Sequence, residues 1–566
     1  MKIAGALGAA VAIVTALVRV PMAATPAPIT FADATAAAGI NFIHNSGRAG
    51  QKFLPETMGS GGAFVDLNGD GWPDIVLVNS RDWKPRPGKR SLSALYRNNG
   101  NGTFTNVTAA SGLDVEMYGM GIAAGDFDND GRDDLYITSL EGDRLFHNEG
   151  NFKFRDVTKT AGIVNANFGT SAAWFDYDRD GRLDLFVSNY LVFDQDAVPR
   201  AGASGSCDYY GVPVSCGPRG LPYGHHSLYH NNGDGTFTDV TVAAGIAKPS
   251  GGYGLTAIAA DLDNDGWPDI FVACDSTPSL YFRNNHDGTF TEQAIESGIA
   301  LSDDGMEQAG MGVAVGDFKL DGNLHLIKTH FSHDTSAVYL NDGKGNFSDA
   351  SLQSGLGVET RFVNWGIGIT DLDNDGNPDV FMVSGGIYPE VDKKLPDAPR
   401  KTPRVIFRNL GKGQFEELIG QAGPGIDQPH CSRGCAFGDF DNDGDMDVLI
   451  VNQNEPPSLL RNDLTGSHRW IKIKLTGVQS NRSAIGARVT VHYGDKVQSQ
   501  EVLSQSSYLS VNDSRLHFGL GSVAVVDIEI RWPLGQVERL KQVPAGQLIY
   551  VAEGSGITRT QKFTRE

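Results

Sequence analysis

Short apolar or alternating runs, closed by Gly, Asn or Asp, fill the chain from residue 29 onward, and no helical period persists between them. One kind of run is apolar and glycine-bearing, as in "YGMGIAAG" (118–125), "YGLTAIAA" (253–260) and "NWGIGIT" (364–370). An acidic stretch follows each run of this kind, and then a β-type run such as "IVLVN" (75–79), "LFVSN" (185–189) or "IFVAC" (270–274). Next comes an apolar strand, an Asn/Gly hairpin turn and another strand, as in "LYRNNGNGTF" (95–104), "LYHNNGDGTF" (228–237) and "VYLNDGKGNF" (338–347). Each unit therefore predicts four short antiparallel strands, with the acidic stretch between the first and second.

The acidic stretch recurs seven times. It reads "DLNGDGWPD" from Asp66, "DFDNDGRDD" from Asp126, "DYDRDGRLD" from Asp176 and "DLDNDGWPD" from Asp261. It continues as "DFKLDGNLH" from Asp317, "DLDNDGNPD" from Asp371 and "DFDNDGDMD" from Asp439, with starts 60, 50, 85, 56, 54 and 68 residues apart. A period of this size with four strands per unit predicts an all-β fold, a seven-bladed β-propeller over 29–463. The ends predict how it closes. "ITFADATAAAGI" (29–40) is a last strand without its first three, and the seventh repeat lacks its last. Pairing the two completes a ring and removes exposed strand edges. Over 464–552, "WIKIKL", "ARVTVHY", "RLHFGLG", "VDIEIRW" and "QLIYVAE" alternate apolar and polar residues, which predicts a small β-sandwich-like domain with 553–566 as a tail.

Asp-x-Asp-x-Asp-Gly-x-x-Asp sets three side-chain oxygens on one side of a tight loop, with Gly allowing the sharp turn. The seventh carbonyl can point inward, and the ninth residue can close the shell. An all-oxygen, highly charged set suits Ca²⁺. The expected ligands are Asp66, Asn68, Asp70, Trp72 and Asp74; Asp126, Asp128, Asp130, Arg132 and Asp134; and Asp176, Asp178, Asp180, Arg182 and Asp184. The remaining three sets are Asp261, Asp263, Asp265, Trp267 and Asp269; Asp371, Asp373, Asp375, Asn377 and Asp379; and Asp439, Asp441, Asp443, Asp445 and Asp447. At the seventh position the ligand is the backbone carbonyl. The fifth loop puts Lys319 and His325 in ligand positions, so it is expected to hold no calcium, which leaves six sites. The competing reading is a set of acidic β-turns, because Asp and Gly are ordinary turn residues.

Composition supports the cation reading. The formal net charge is −21, and six Ca²⁺ would bring it to −9. That charge argues against nucleic acid as a partner. The 70 glycines fit many tight turns. "MKIAGALGAAVAIVTALVRVPMAA" has the shape of a secretory signal over 1–24, with an uncleaved anchor as the competing reading. No later run is long enough to span a bilayer. A secreted, extracellular or periplasmic monomer is expected, and export permits disulfides. Cys207 and Cys216 read as a staple across "DYYGVPVS", Cys431 and Cys435 as a possible second bridge, and Cys274 as a buried thiol. The pair His225–His226 reads as polar surface or, alternatively, as a metal site.

These residues carry a resemblance. The seven loops, set within strand units, resemble the FG-GAP/VCBS repeats of integrin α-chain-type propellers. The stretch "NRSAIGARVTVHYG…QSQEVLSQSSYLSVNDSRLHFGLG…VDIEIRWPLGQ" (481–536) resembles the ASPIC/UnbV domain. With "CGPRGLP" (216–222) and "GGIYPEVD" (385–392), the chain is similar to the cartilage acidic protein family. The resemblance implies calcium binding, an extracellular location, and adhesion or scaffolding toward an extracellular protein or glycan.

The insertions 189–227 and 384–404 fall on the face opposite the carboxylate loops. Tyr118, Phe168, Tyr253, Trp365 and Arg433 sit just ahead of the innermost strands on that face, as candidate ligand anchors or, equally, as a channel plug. The chain has no G-x-S-x-G, H-E-x-x-H or G-x-x-x-x-G-K-[ST] motif, so no catalytic residue is assigned. A binding or scaffold protein is expected; the alternative is a polysaccharide-acting lyase or hydrolase with its site on the insertion face.

Overall fold

The computed structural model describes residues 29–84, 88–249, 251–394, 396 and 399–563. The signal expected over 1–24 lies outside the described residues. The fold is all-β. Seven four-stranded antiparallel sheets follow one another along the chain, each built on the strand order the sequence predicts. Sheet one joins Gly62–Val65, Asp74–Leu77, Ala94–Asn98 and Phe104–Asn106. The first strands of the next six are Gly119–Gly125, Gly169–Phe175, Gly254–Ala260, Val313–Gly316, Asn364–Thr370 and Ser432–Gly438. The fourth strand of sheet seven is Phe31–Asp33, which pairs antiparallel to Ser458–Asn462 with Phe31 opposite Asn462. First strands of consecutive sheets pack on each other, and Ser432–Gly438 packs on Gly62–Val65.

A small polar device links the sheets. The third strand of each ends in Asn, whose Nδ2 donates to a carbonyl in the preceding sheet's acidic loop. Asn148 reaches Leu67 O at 3.0 Å, Asn231 reaches Phe127 O at 2.8 Å and Asn284 reaches Tyr177 O at 2.9 Å. Asn341, Asn409 and Asn462 continue the series to Leu262, Phe318 and Leu372. Asn98 of sheet one donates to Phe440 O of sheet seven at 2.8 Å. Each bond is buried, so losing one would leave an unsatisfied carbonyl in the interior.

The C-terminal region extends beyond the β-sandwich-like domain expected over 464–552 into the residues read as a tail. Its strands form two four-stranded sheets. One orders Leu516–Gly521, Arg469–Thr476, Gln547–Ala552 and Gly556–Gln561, and the other Lys496–Glu501, Arg488–Tyr493, Val525–Arg531 and Val537–Pro544. Residues set apart as a tail thus supply the strand Gly556–Gln561, paired to Gln547–Ala552. The apolar core of these sheets (Ile471, Val489, Ile530, Trp532) is continuous with that of sheets two and three through Phe127 and Trp174.

The segment 503–513 leaves this region and enters the space between the first strands. Ser507 and Val313 exchange backbone bonds at 2.8 and 3.2 Å; Leu509 O accepts from Ile122 N at 3.2 Å; Val511 O accepts from Phe64 N at 3.1 Å. Ser504 Oγ takes Trp174 N, Ser507 Oγ takes Ile367 N, and Asn512 Oδ1 takes Phe437 N. Six of the seven first strands thereby gain a partner for their inner edge, which satisfies donors that would otherwise face a channel. Gly61 makes room for this segment: a Cβ there would lie 1.6 Å from Leu509 O.

Candidate metal loops and the insertion face

The seven acidic loops share one internal geometry. The first Asp accepts from the backbone of the fifth and sixth residues: Asp126 takes Asp130 N at 3.0 Å and Gly131 N at 2.7 Å, and Asp371 takes Asp375 N and Gly376 N at 3.1 and 2.6 Å. The sixth-position glycine sits at φ between 86° and 100° in every loop, a region that penalises any other side chain. The fifth Asp caps the seventh residue, as Asp70 does Trp72 N and Asp180 does Arg182 N, both at 2.9 Å. The ninth Asp begins the second strand and is a structural acceptor. Asp74 takes Leu67 N and Asn98 N at 3.0 and 2.8 Å, which holds in place the asparagine that links sheet one to sheet seven.

Burial dominates the electrostatics. It pushes Asp126 and Asp184 up to about 7 and Asp74, Asp176 and Asp441 up to about 8, with neighbouring carboxylates adding to the shift. Asp178 Oδ1 and Asp441 Oδ1 are buried and accept no hydrogen bond. Crowded oxygens with orphaned lone pairs and no thiolate fit Ca²⁺, with ligands drawn from the first, third, fifth and ninth side chains and the seventh carbonyl.

The fifth loop differs as the sequence implies. Lys319 Nζ lies 3.4 Å from Asp321 Oδ2, and His325 Nε2 lies 3.2 Å from Asp321 Oδ1. Burial would raise Asp321, but these two partners hold it down to about 2. His325 replaces the ninth Asp as acceptor, taking Asn341 N on Nδ1 at 3.0 Å.

The C-terminal region covers this face. Lys472 Nζ lies 3.3 Å from Asp439 Oδ2, Arg531 pairs with Asp261, Ser499 N donates to Asp317, and Tyr493 donates to Gly376 O. None of these contacts was legible in the sequence.

On the insertion face, the five residues read as ligand anchors or, equally, as a channel plug are all buried. Tyr118 donates to Ser46 O, Tyr253 to Leu221 O and Trp365 to Gly385 O, and Phe168 packs edge-on against Tyr190. Arg433 is fully enclosed, donating to Thr57, Gly385, Gly386 and Ser432 carbonyls and lying 4.2 Å over the Trp365 ring. Tyr508 and Leu509 of the inserted segment fill the space they surround.

Cys207 and Cys216 form the expected bridge, with Cα atoms 5.0 Å apart. The possible second bridge is absent: Cys431 and Cys435 are free and buried. Both lie along one extended run, where a separation of four residues spans about 13 Å, too far for a disulfide. His226 is buried and accepts from Asn189 N while His225 is exposed, so the pair does not converge on one ion.

Sequence reasoning missed Glu56. Its carboxylate is buried beside a cavity of about 40 Å³ lined by Arg48, Lys52, Tyr388 and Gln453, and accepts from Trp83 Nε1 at 2.8 Å. Burial pushes it up to about 7. With a folded pKa above the unfolded one, its stability contribution is complete below about 4.5 and is lost as pH rises through 7. Glu56→Gln should therefore match the parent at pH 4.5 and exceed it by about 2–3 kcal/mol at pH 8. Identical pH profiles of melting for the two proteins would refute this.

Among the described residues no helix is long and apolar enough to cross a membrane. The family described as FG-GAP-like repeat matches residues 66–137, 126–187, 214–272, 261–327 and 400–485, together over half the chain, and ASPIC and UnbV matches 477–558. Cartilage acidic protein 1 of Homo sapiens is 27% identical over 323 residues, covering 56% of this chain and 46% of that protein. The Mus musculus protein is 27% identical over 307 residues, covering 53% and 44%. The chain thus spans about half the length of the curated relatives it matches. Among solved structures, an Agrocybe aegerita lectin described as recognising non-reducing terminal N-acetylglucosamine aligns over 70% of this chain and 87% of its own, at 18% identity and a TM-score of 0.36.

Proposed function

Because the chain belongs to the FG-GAP-like repeat family and carries an ASPIC and UnbV domain, we propose that it is a calcium-stabilised, closed seven-bladed propeller acting outside the cytoplasm as a monomeric scaffold or ligand-binding protein. The observation that carries this reading is the repeated loop: six copies crowd carboxylates around a buried ninth-position Asp, while the fifth loop instead sets Lys319 and His325 against Asp321. Calcium is structural here, tying first strands to second strands beneath the C-terminal sheets. Asp in place of both Lys319 and His325 should add one Ca²⁺ per chain, counted by native mass spectrometry; an unchanged count would argue against the loops as cation sites.

The buried anchors leave the stapled insertion as the ligand surface. Val192, Tyr210 and Tyr223 remain exposed there. Screening the full chain on glycan and matrix-protein arrays, with Ca²⁺ and then with chelator, tests the role. Binding without turnover that Tyr210→Ala and Tyr223→Ala abolish would support it, and turnover of a polysaccharide would favour the alternative enzyme. Glu56 is the observation favouring that alternative, although its cavity has room for about one water, not a sugar.

A further inference from the structure

Charge on one side of the insertion face runs against that of the whole chain. Lys and Arg make up 47 of 566 residues, and the net charge is −21. Between Ser80 and Arg90, in the connection from the second to the third strand of sheet one, they make up five of eleven. The equivalent connection of sheet six contributes Lys393 and Lys394, and the segment entering sheet one contributes Arg48 and Lys52. Contacts join these stretches into one surface. Trp83 Nε1 donates to Glu56 at 2.8 Å; Arg48, Lys52 and Glu390 border one cavity; and Lys394 donates to Gly211 O of the stapled hairpin. The carboxylates nearby are already engaged. Glu390 pairs with Lys52 at 3.2 Å, Asp392 accepts from Arg400 N at 2.6 Å, Asp82 accepts from Asn45 Nδ2 at 3.3 Å, and Glu455 pairs with Lys401 and His430. Among the described residues, Arg48, Lys84, Lys89 and Lys393 are exposed and have no carboxylate within ion-pairing distance. Half-buried rings lie beside them, Trp83 standing 5.7 Å from Phe193 at 35°.

Taking the chain as a ligand-binding protein outside the cytoplasm, the reading given above, we propose that this surface binds an anionic polysaccharide. The four unpaired cations take its sulfate or carboxylate groups, and Trp83 and Phe193 take the faces of its sugar rings. A basic patch on an acidic molecule concentrates a polyanion locally even though the net charge repels it at long range. The narrowness of the patch selects among polyanions. On the connection from sheet four to sheet five, Asp303, Asp304 and Glu307 are exposed, and Glu307 reaches Arg219 of the stapled insertion at 2.8 Å. A duplex or an anionic bilayer laid across this face therefore meets like charge. A single flexible chain can keep to the basic side, over sheets one and six.

Full-length protein in the presence of Ca²⁺ is titrated with heparin, hyaluronate and neutral dextran, and with a single-stranded DNA oligomer and phosphatidylserine vesicles. Heparin or hyaluronate should bind and dextran should not; the sulfated and the carboxylate-only chains tell which anion is read. With four contacts to a flexible polyanion, affinity should fall about fiftyfold between about 50 and 200 mM salt. Arg48→Ser, Lys84→Ser, Lys89→Ser and Lys393→Ser together should remove the binding and its salt dependence. Lys344→Ser, Lys412→Ser, Lys541→Ser and Lys562→Ser, at exposed sites elsewhere, change the net charge equally and should leave both as in the parent. All eight sites are exposed, so both variants should melt with the parent. Should the first variant melt early, Arg48→Ser and Lys84→Ser must each weaken binding singly. No binding of either anionic chain, binding that survives the four substitutions, equal loss in the control, or equal affinity for the DNA or the vesicles overturns the assignment. An array ligand that is a protein or neutral glycan, unaffected by the four substitutions, overturns it too and leaves the ligand-binding reading standing. No ligand of any class removes the reading itself.

Discussion

Chelating the full chain at pH 8 is expected to lower its melting temperature by on the order of 5–10 °C, and at pH 5 by much less. Extracellular calcium modules bind at roughly 10⁻⁴ to 10⁻³ M, and at ten times the dissociation constant each site adds about 1.4 kcal/mol. Six loops give about 8 kcal/mol, and a chain of this length shifts by about 1 °C per kcal/mol. The pH dependence follows from the crowding. Burial pushes Asp126 up to about 7 and Asp176 and Asp441 up to about 8, against about 3.9 unfolded. Carboxyls whose folded pKa is raised favour folding fully below the unfolded value and lose that contribution as pH climbs through the folded one. Stripped protein should therefore weaken from pH 4 to 8, while loaded protein keeps its loops ionised and neutralised. Melting curves that coincide with and without chelator at pH 8, with no bound metal detected, would sink the reading.

What the sequence discloses and what it hides divide along a physical line. Strand, turn and loop positions are local consequences of residue type. The period-2 runs, the Asn-Gly turns and the sixth-position glycine therefore placed all seven four-stranded sheets, including the partner for Phe31–Asp33. The substitution of Lys319 and His325 was equally legible, because charge in a fixed frame needs no tertiary knowledge. The asparagine at each third-strand end looked like turn chemistry, but its bond to the preceding sheet depends on sheets being neighbours in space. Tyr118, Phe168, Tyr253, Trp365 and Arg433 aligned correctly at the rim of the first strands. Their burial depends on Tyr508 and Leu509, more than seventy residues beyond the last of them. "SQSSYLSVND" (504–513) reads as a polar loop, since serines signal turns wherever they occur. Only the assembled first strands, with inner-edge N–H groups to satisfy, give those hydroxyls their partners.

The second large effect follows from that segment. A chain ending at residue 463 should fail to reach a stable fold, because the first strands would keep unpaired inner edges around a space that Tyr508, Leu509 and Val511 now fill. Leu509→Ala should cost about 2–5 kcal/mol by leaving a cavity among Tyr118, Tyr253 and Trp365. Gly61→Ala should cost more than about 4 kcal/mol, since its Cβ would overlap the Leu509 carbonyl and neither backbone can yield without breaking the Ile122 bond. Val242→Ala, at an exposed site, should stay within about 0.5 kcal/mol and serves as the control. Urea unfolding followed by tryptophan fluorescence reads all three. Trp365 reports the inserted segment and Trp532 the C-terminal core, so coincident midpoints in single-tryptophan variants mark one cooperative unit. A truncated chain that melts cooperatively near the parent temperature would mean that the seven sheets hold together without the inserted segment, and that the segment is a passenger.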